Sequence, residues 1–463
     1  MNINGGAMRQ RPIEQDMFLR RENFDPVEEN LTPEQVKAEA NRCLSCKNAR
    51  CVQGCPVNIQ IPDFIKALKE DDIEKAGDII RETSMLPSVC GRVCPQEKQC
   101  EGNCVLGIKG APVAIGALER YVGDNTQAKT VEINSTGKKV AIVGSGCAGI
   151  TAASDLRKAG HEVTIFEALH KFGGVLRYGI PPFRLPRVVL DREIDNLKKM
   201  GVKFEKNVIV GKSITLKQLQ EDGFDAIFIC SGAGLPKMMN IPGENLNGVF
   251  SANEFLTRVN LMQANNENFA TPLKIGKSVA VIGGGNVAMD AARTAVRVGF
   301  ETVYIVYRRT EHELPARLEE IRHAKEEGVK FIFLHAPTEI IEKDGAVNGM
   351  TFELMELGEP DASGRRSPVG TGKYETFDVD TVIVALGTGP NPIIQKSALA
   401  EGLEFNTDKR GYFVVDENTR ETSIPTIFAG GDVAPVGASN AINAMGAGKK
   451  AAKAINDYLN KNS

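Results

Sequence analysis

The stretch Val140-Ala-Ile-Val-Gly-Ser-Gly-Cys-Ala-Gly149 runs from four apolar residues straight into three closely spaced glycines. An unbroken apolar run bounded by glycine reads as a buried strand, and the glycines as a turn whose backbone can approach a ligand closely. Beyond it a helical segment ends at Gly160, and Glu162-Val-Thr-Ile-Phe166 reads as the next strand. One such turn alone is a weak signal. The same order returns at Ser278-Val-Ala-Val-Ile282, Gly283-Gly-Gly-Asn-Val-Ala288, a helix ending near Gly299, and Thr302-Val-Tyr-Ile-Val306. Two Rossmann-like nucleotide-binding units therefore follow one another in an α/β chain.

Each turn sets the N-terminus of a helix, with its unpaired N–H groups and positive dipole end, where a pyrophosphate would lie. The residue closing the next strand separates the two ligands. In the first unit it is Glu167, an acid that can bond both ribose hydroxyls and would repel a 2'-phosphate, which suits FAD or NAD. In the second it is Tyr307-Arg308-Arg309, whose cations can hold a 2'-phosphate, which suits NADPH. The plainer reading of these arginines is a solvated pair on a loop, and their place after a nucleotide-fold strand argues against it. Gly430-Gly-Asp432, at the end of a late strand, adds an acid able to bond the ribityl or pyrophosphate region of a flavin, or to cap the last helix. Cys147, in the first turn, is read as packing.

A chain of 463 residues exceeds one ordinary core and suggests roughly three domains. The net charge of -3 argues against nucleic acid or an anionic membrane as the main partner. No apolar run reaches the ~18 residues of a membrane span, and Met1 to Asp25 lacks a signal-peptide core, so a cytoplasmic location is expected. In that compartment ten cysteines are metal or redox groups rather than disulfides. Eight of them lie between Cys43 and Cys104, as Cys43, Cys46, Cys51 and Cys55-Pro56, then Cys90, Cys94-Pro95, Cys100 and Cys104. Zinc could use such thiolates, but beside a flavin iron-sulfur centres give single electrons somewhere to go, whereas zinc is redox-silent. In runs ending Cys-Pro the last cysteine commonly serves a second cluster, so the first four thiols need not share one.

The first ~130 residues read as short helices, the first opened by the capping box Thr32-Pro-Glu-Gln35 and others starting at Pro62 and Asp72. The expected domains are a helical domain over 1–132, an FAD domain over 133–262 and 388–463, and an inserted NADP(H) domain over 263–387. Val379 to Gly387 reads as the closing strand of the second unit, Thr426 to Val433 as a return to the first, and 265–271 and 360–371 as surface loops.

These motifs, together with Gly173-Gly-Val-Leu-Arg-Tyr-Gly-Ile-Pro181, Phe183-Arg-Leu-Pro186 and Ala429-Gly-Gly-Asp-Val433, carry a resemblance over nearly the whole chain. It resembles the family of the glutamate synthase small subunit, the large subunit of NADH-dependent reduced ferredoxin:NADP+ oxidoreductase and the N-terminal half of dihydropyrimidine dehydrogenase. The resemblance implies one 4Fe-4S cluster on Cys43, Cys46, Cys51 and Cys104, and another on Cys55, Cys94, Cys100 and Glu119, with Cys90 left over. It implies FAD against Glu167, Gly174, Val175, Arg184 and Asp432, and NADPH against Asn286, Arg308 and Arg309. The full cofactor-binding set adds Gly144, Gly146, Ala148, Gly149, Val208, Gly431, Asn440, Ala441, Gly284, Gly285, Val287 and Gly387.

Within the family, the five residues between Cys94 and Cys100 are similar to the ferredoxin:NADP+ oxidoreductase large subunit, where the glutamate synthase subunit usually has three. Cys147 in place of proline and Leu314 in place of methionine depart from the family pattern without removing a ligand. The expected function is an electron-bifurcating oxidoreductase subunit passing electrons between NADPH, FAD and two 4Fe-4S clusters. Its implied partners are ferredoxin and a small FAD/2Fe-2S flavoprotein subunit. No catalytic side chain is named, because hydride transfer needs positioning rather than an acid or base. The rival readings are the electron-input subunit of glutamate synthase and a non-catalytic zinc/flavin assembly subunit.

Overall fold

The computed structural model describes residues 8–129, 133–435 and 439–461. The expected first domain boundary, at 132, lies outside the described residues. Before it, helices Pro33–Arg42, Ile61–Lys69, Ile73–Arg81, Pro87–Val93 and Ile115–Asn125 form the thiol-bearing domain. The capping box at Thr32 is present: Thr32 Oγ1 accepts the Gln35 N–H at 3.2 Å and Gln35 Oε1 accepts the Thr32 N–H at 2.9 Å. Asp72 caps the helix that follows it by accepting from the Lys75 N–H at 3.0 Å.

Strand Lys139–Val143 is the centre of a five-stranded parallel sheet. Glu162–Glu167 and Lys203–Lys206 lie on one side, Ala226–Ile229 and the late strand Ile427–Ala429 on the other. The return of the tail to the first unit is thus as the sequence suggests. Its last helix, Ala441–Lys461, packs along the turn helix Cys147–Lys158. Strands buried on both faces need apolar runs rather than alternation, and Ala226–Ile229 is buried throughout.

Strand Ser278–Ile282 is likewise the centre of a second parallel sheet, flanked by Thr302–Tyr307 and Lys330–Phe333 and by Thr381–Val384 and Val249–Ser251. The edge strand Val249–Ser251 therefore joins this sheet ahead of the boundary expected at 263. At three residues it is too short to leave a periodic signal, and Ser251 at once caps helix Ala252–Asn260 through the Glu254 N–H at 3.1 Å. The two crossings between the nucleotide domains pair with each other as a short antiparallel ribbon, Leu235–Pro236 with Thr388–Gly389.

Residues 265–271 are irregular, as expected. Residues 360–371 are not a loop. Strands His335–Lys343, Ala346–Pro360 and Arg366–Phe377 form an antiparallel sheet, and only the tip between Pro360 and Arg366 turns. Asp361 Oδ1 caps that tip by accepting the Ser363 N–H at 2.8 Å. Its Ser, Gly and Arg content belongs to strands exposed on one face, where composition resembles that of a loop.

A single apolar core runs from Phe64 and Ile80 in the thiol domain through Val140, Ile142 and Leu156 to Met445 and Ile455 in the last helix. The thiol domain and the first nucleotide domain are thus one body. The second nucleotide domain has cores of its own, around Phe255 and Ile305 and around Ile282 and Phe352.

Candidate functional site

Cys43, Cys46, Cys51 and Cys104 line one pocket with Leu44 and Ile61, bringing the end of the first helix, the next short helix and the second cysteine segment together. All four are partly exposed. Cys55, Cys94 and Cys100 are buried, and each feels the charge of Glu119. Glu119 arrives on Ile115–Asn125, which lies hard against Pro87–Val93 because Gly91 leaves room: a Cβ there would be 2.5 Å from the Arg120 N. The structure thus gathers the two ligand sets that the resemblance implies. Cys90 borders the buried set as well, with its side chain hydrogen-bonded to Cys94 and its charge felt by Cys55, while its Sγ also lies 3.5 Å from Met445 Sδ on the last helix. The buried set also borders that helix, where a Cβ at Gly446 would be 3.5 Å from the Pro56 O.

Glu119 Oε1 is buried without a hydrogen-bond partner, and burial pushes its carboxyl up to about 8. Burial likewise pushes the Cys51 and Cys55 thiols up to about 11. A buried carboxyl with no partner costs free energy unless something coordinates it, so this donor set fits a metal centre. Among the described residues Glu14, His323 and Glu326 also lie together, and Arg322 already pairs with both of these carboxylates.

At the first turn, Gly144 has a φ of 115° and would place a Cβ 2.6 Å from the Cys230 O, so only glycine fits. A Cβ at Gly146 would meet nothing within 4 Å. The space left open at the helix N-terminus is a cradle for a pyrophosphate, and FAD fits it. Glu167 is buried and organises the turn: its Oε2 accepts the Ser145 N–H at 3.1 Å and its Oε1 the Leu169 N–H at 2.9 Å. The Ser145 hydroxyl donates to Glu167 and accepts from the Gly173 N–H at 2.8 Å, binding the turn to the Gly173-Gly174 loop. Ser145 was not among the expected residues, and its one signal was a hydroxyl between two glycines. Ala148 and Gly149 lie on the turn helix, Val175 is exposed after Gly174, and the Val208 N–H donates to the Glu167 O at 2.9 Å. Gly431 lies against Ala148, with Asn440 and Ala441 at the start of the last helix. Burial raises the Asp432 carboxyl there, and Ser439 opposes the shift. Burial also raises the Cys147 thiol, in keeping with packing rather than reactivity.

Arg184, expected against FAD, makes buried ion pairs with the second nucleotide domain. Its Nη1 donates to both Asp290 oxygens at 2.8 and 2.7 Å, and Glu320 lies 2.8 Å from its Nε. It joins the first nucleotide domain to the second. Phe183 beside it receives the guanidiniums of Arg293 and Arg297 on its ring face at 4.6 and 3.9 Å. These same arginines hold Glu327, at 2.8 and 2.6 Å, as does Arg20 from the N-terminal segment at 3.1 Å. Directional charged contacts therefore form part of the interface between the two bodies.

At the second turn Gly285 is also open, with nothing within 4 Å of a Cβ, and its geometry fits the phosphates of NADP(H). Gly284 packs beneath Tyr307 and Leu314, Val287 is half exposed, and Gly387 lies in the crossing ribbon. Asn286 Oδ1 accepts the Arg317 N–H at 2.9 Å. The two expected arginines part company. Arg309 is buried, with its Nη2 on Asp361 at 2.6 Å and its Nε on the Arg366 O at 2.6 Å. Arg308 is exposed and, among the described residues, has no hydrogen-bond or ion-pair partner. The sequence does not reveal this division, because it depends on a hairpin tip some 50 residues away.

The family model for pyridine nucleotide-disulphide oxidoreductases matches residues 117–448, and that for dihydropyrimidine dehydrogenase domain II, 4Fe-4S cluster, matches residues 20–131. The chain is 36% identical over 463 residues to the glutamate synthase [NADPH] small chain of Escherichia coli K12, covering 97% of this chain and 96% of that one. It is 39% identical over 440 residues to the NADP(+)-dependent formate dehydrogenase subunit beta of Moorella thermoacetica, covering 89% of this chain and 60% of that one. Among solved structures, FprA of Mycobacterium tuberculosis in complex with NADPH shares the fold, with a TM-score of 0.56 at 23% identity over 70% of this chain and 84% of that one. No helix among the described residues is long and apolar enough to cross a membrane.

Proposed function

The chain belongs to the family of the glutamate synthase small chain, and from that premise we propose that it is the NADP(H)-linked electron-transfer subunit of a larger oxidoreductase. It is an NADP-dependent FAD and iron-sulfur oxidoreductase. Two clusters are proposed, an outer one on Cys43, Cys46, Cys51 and Cys104 and an inner one on Cys55, Cys94, Cys100 and Glu119. When bound, FAD would supply the exchange of one hydride, an electron pair, with the nicotinamide and of single electrons with the clusters. The protein's own part is placement. Gly146 and the Cys147 helix hold the flavin pyrophosphate, Glu167 its ribose and Asp432 its far end. Gly285, Asn286 and Arg308 hold the second nucleotide. The observation that carries the reading is the orphan Glu119 carboxyl buried among three buried thiols, beside a second, half-exposed set of four. Buried thiols near the flavin domain and exposed ones beyond them suit a route that ends at the surface.

For the destination we infer, from the five residues between Cys94 and Cys100, an electron-bifurcating enzyme that sends electrons to ferredoxin and to a small flavoprotein subunit. The second reading is glutamate synthase input, supported by the end-to-end match to the small chain. The proposed three-domain division follows the expected limits, with the second nucleotide domain begun at Val249. Anaerobic purification with iron, acid-labile sulfide, zinc and FAD analysis tests the core reading. It expects FAD and about two clusters' iron, and stoichiometric zinc without sulfide overturns it. Identifying the subunit that copurifies from the native host decides between the destinations.

A further inference from the structure

A continuous hydrogen-bonded link runs from the second glycine turn to the loop that carries Cys94. At the nucleotide end, Asn286 is the first residue of the turn helix, and its Oδ1 holds the Arg317 N–H at 2.9 Å. At the other end the Arg317 side chain enters the thiol domain, where Nη1 donates to the Arg92 O at 2.9 Å and Nη2 to Gln96 Oε1 at 2.8 Å. Gln96 passes the link on, its Nε2 donating to the Gly91 O at 3.1 Å and the Cys90 O at 3.3 Å. These residues flank Cys94, whose own N–H donates to the Cys90 O at 3.1 Å.

The link has little slack. Arg317 and Gln96 are both buried, and a Cβ at Gly116 would be 2.5 Å from Gln96 Nε2, so the amide is boxed in. Lys98 Nζ donates to the Pro315 O at 3.0 Å, and the Leu318 N–H to Glu97 Oε1 at 3.3 Å. The residues making these contacts, Gln96, Glu97 and Lys98, are the middle of the five between Cys94 and Cys100. A guanidinium is a planar fork of fixed donors. A shift of the Arg317 backbone at the nucleotide is therefore passed to its partners at the thiol loop to the extent that its buried stem does not re-orient.

We propose that Arg317 is a positioning residue that makes nucleotide occupancy at the second turn and the redox state of the inner metal site depend on each other. The inference rests on the reading that Gly285 and Asn286 hold NADP(H) and that Cys55, Cys94, Cys100 and Glu119 hold a cluster. Linkage is reciprocal: if nucleotide binding alters the inner site's affinity for an electron, reduction of that site alters nucleotide affinity by the same factor. A coupling of about fivefold lies at the low end of such effects and, at about 59 mV per tenfold for one electron, amounts to about 40 mV.

The test is an EPR-monitored redox titration of the holoprotein with and without 2'-phospho-ADP-ribose, which carries the pyrophosphate and 2'-phosphate but no nicotinamide and cannot exchange electrons. The inner centre is recognised as the signal lost in Cys94→Ser. The wild type is expected to show a probe-dependent shift of about 40 mV. Arg317→Ala and, from the opposite end, Gln96→Leu are expected to lose the shift while keeping iron, FAD and a measurable probe isotherm. A role in packing alone would lower cluster content or probe binding without removing a coupling between them. A wild type that holds both centre and probe but shows no shift overturns the inference, as does a shift that persists in both variants. A wild type without the inner centre, or without probe binding, overturns the underlying functional reading as well, and iron content and the isotherm show which part failed.

Discussion

Replacing Arg308 alone by Ala is expected to erase most of the discrimination between NADPH and NADH, while replacing Arg309 alone leaves it nearly intact. Sequence treats the two as a pair. In the structure the Arg309 guanidinium is already spent on Asp361 and the Arg366 carbonyl, both at 2.6 Å, and turning it to a 2'-phosphate would give up both contacts. Arg308 is exposed and uncommitted at the same strand end. A charge-assisted hydrogen bond to phosphate contributes roughly 1.5 to 3 kcal/mol, and at about 1.4 per tenfold its loss lowers kcat/KM for NADPH by about 10- to 150-fold. NADH, lacking the phosphate, loses little. The assay is steady-state reduction of a small artificial acceptor by each nucleotide, compared as a ratio so that changes in flavin content cancel. For Arg309→Ala the ratio is expected to move by less than about threefold, under ~0.7 kcal/mol, with the hairpin tip at 361–366 becoming more open to proteolysis. An equal loss for both nucleotides in Arg308→Ala, or a larger change of the ratio in Arg309→Ala, refutes the division of labour.

Glu119→Ala is expected to cost the iron or alter the EPR signal of one centre while FAD content stays normal, and Cys90→Ala to leave both centres in place. The reverse pattern would show that Cys90, not Glu119, is the fourth ligand. Asp290→Ala leaves the buried Arg184 with Glu320 as its remaining ion-pair partner among the described residues, and breaking such a pair costs about 3 to 5 kcal/mol. Calorimetry should show the second nucleotide domain melting several degrees earlier, and an unchanged transition would make the clamp energetically idle. Burial alone would raise the Glu327 carboxyl, but Arg293 and Arg297 override it and hold it down at about 2. A depressed carboxylate contributes stability above its unfolded value near 4.5 that is lost as pH falls toward 2, here on the order of 3 kcal/mol. Hydrogen exchange between pH 5 and 3 should therefore show the second domain loosening more steeply than in Glu327→Gln, which has no such titration.

What was legible in the sequence was whatever depends on neighbours along the chain. Both glycine turns, their strands and the Thr32 and Asp72 caps are local, and each is where the sequence puts it. The thiols were legible as a set because family spacing pairs Cys104 with the first run, and the structure brings them to one pocket. What escaped depends on contacts across the fold. Arg184 is a flavin contact only by the resemblance, and nothing along the chain announces that its charge is answered by Asp290 and Glu320 in another domain. The edge strand Val249–Ser251 was too short for periodicity, and the exposed strand Arg366–Phe377 had the composition of a loop. Arg317 carried no motif at all, since its meaning lies in Gln96, more than two hundred residues away.

The way the two bodies are joined bears on how electrons and nucleotide can share one chain. Electron passage between centres needs distances that do not drift, and the thiol domain and first nucleotide domain share one apolar core, in which close-packed side chains resist displacement. The second nucleotide domain must admit and release a ligand, and its contacts with that body include Arg184 with Asp290, Arg20 with Glu327, and Arg317 with Gln96. Buried ion pairs of this kind add little net stability over apolar packing of the same shape, but each is costly to misalign. Such contacts favour one orientation of the domains. The same directionality lets a small change at the nucleotide reach the cysteine loop through Arg317 and the Lys98 and Glu97 contacts beside it, which a non-directional apolar contact would transmit less faithfully.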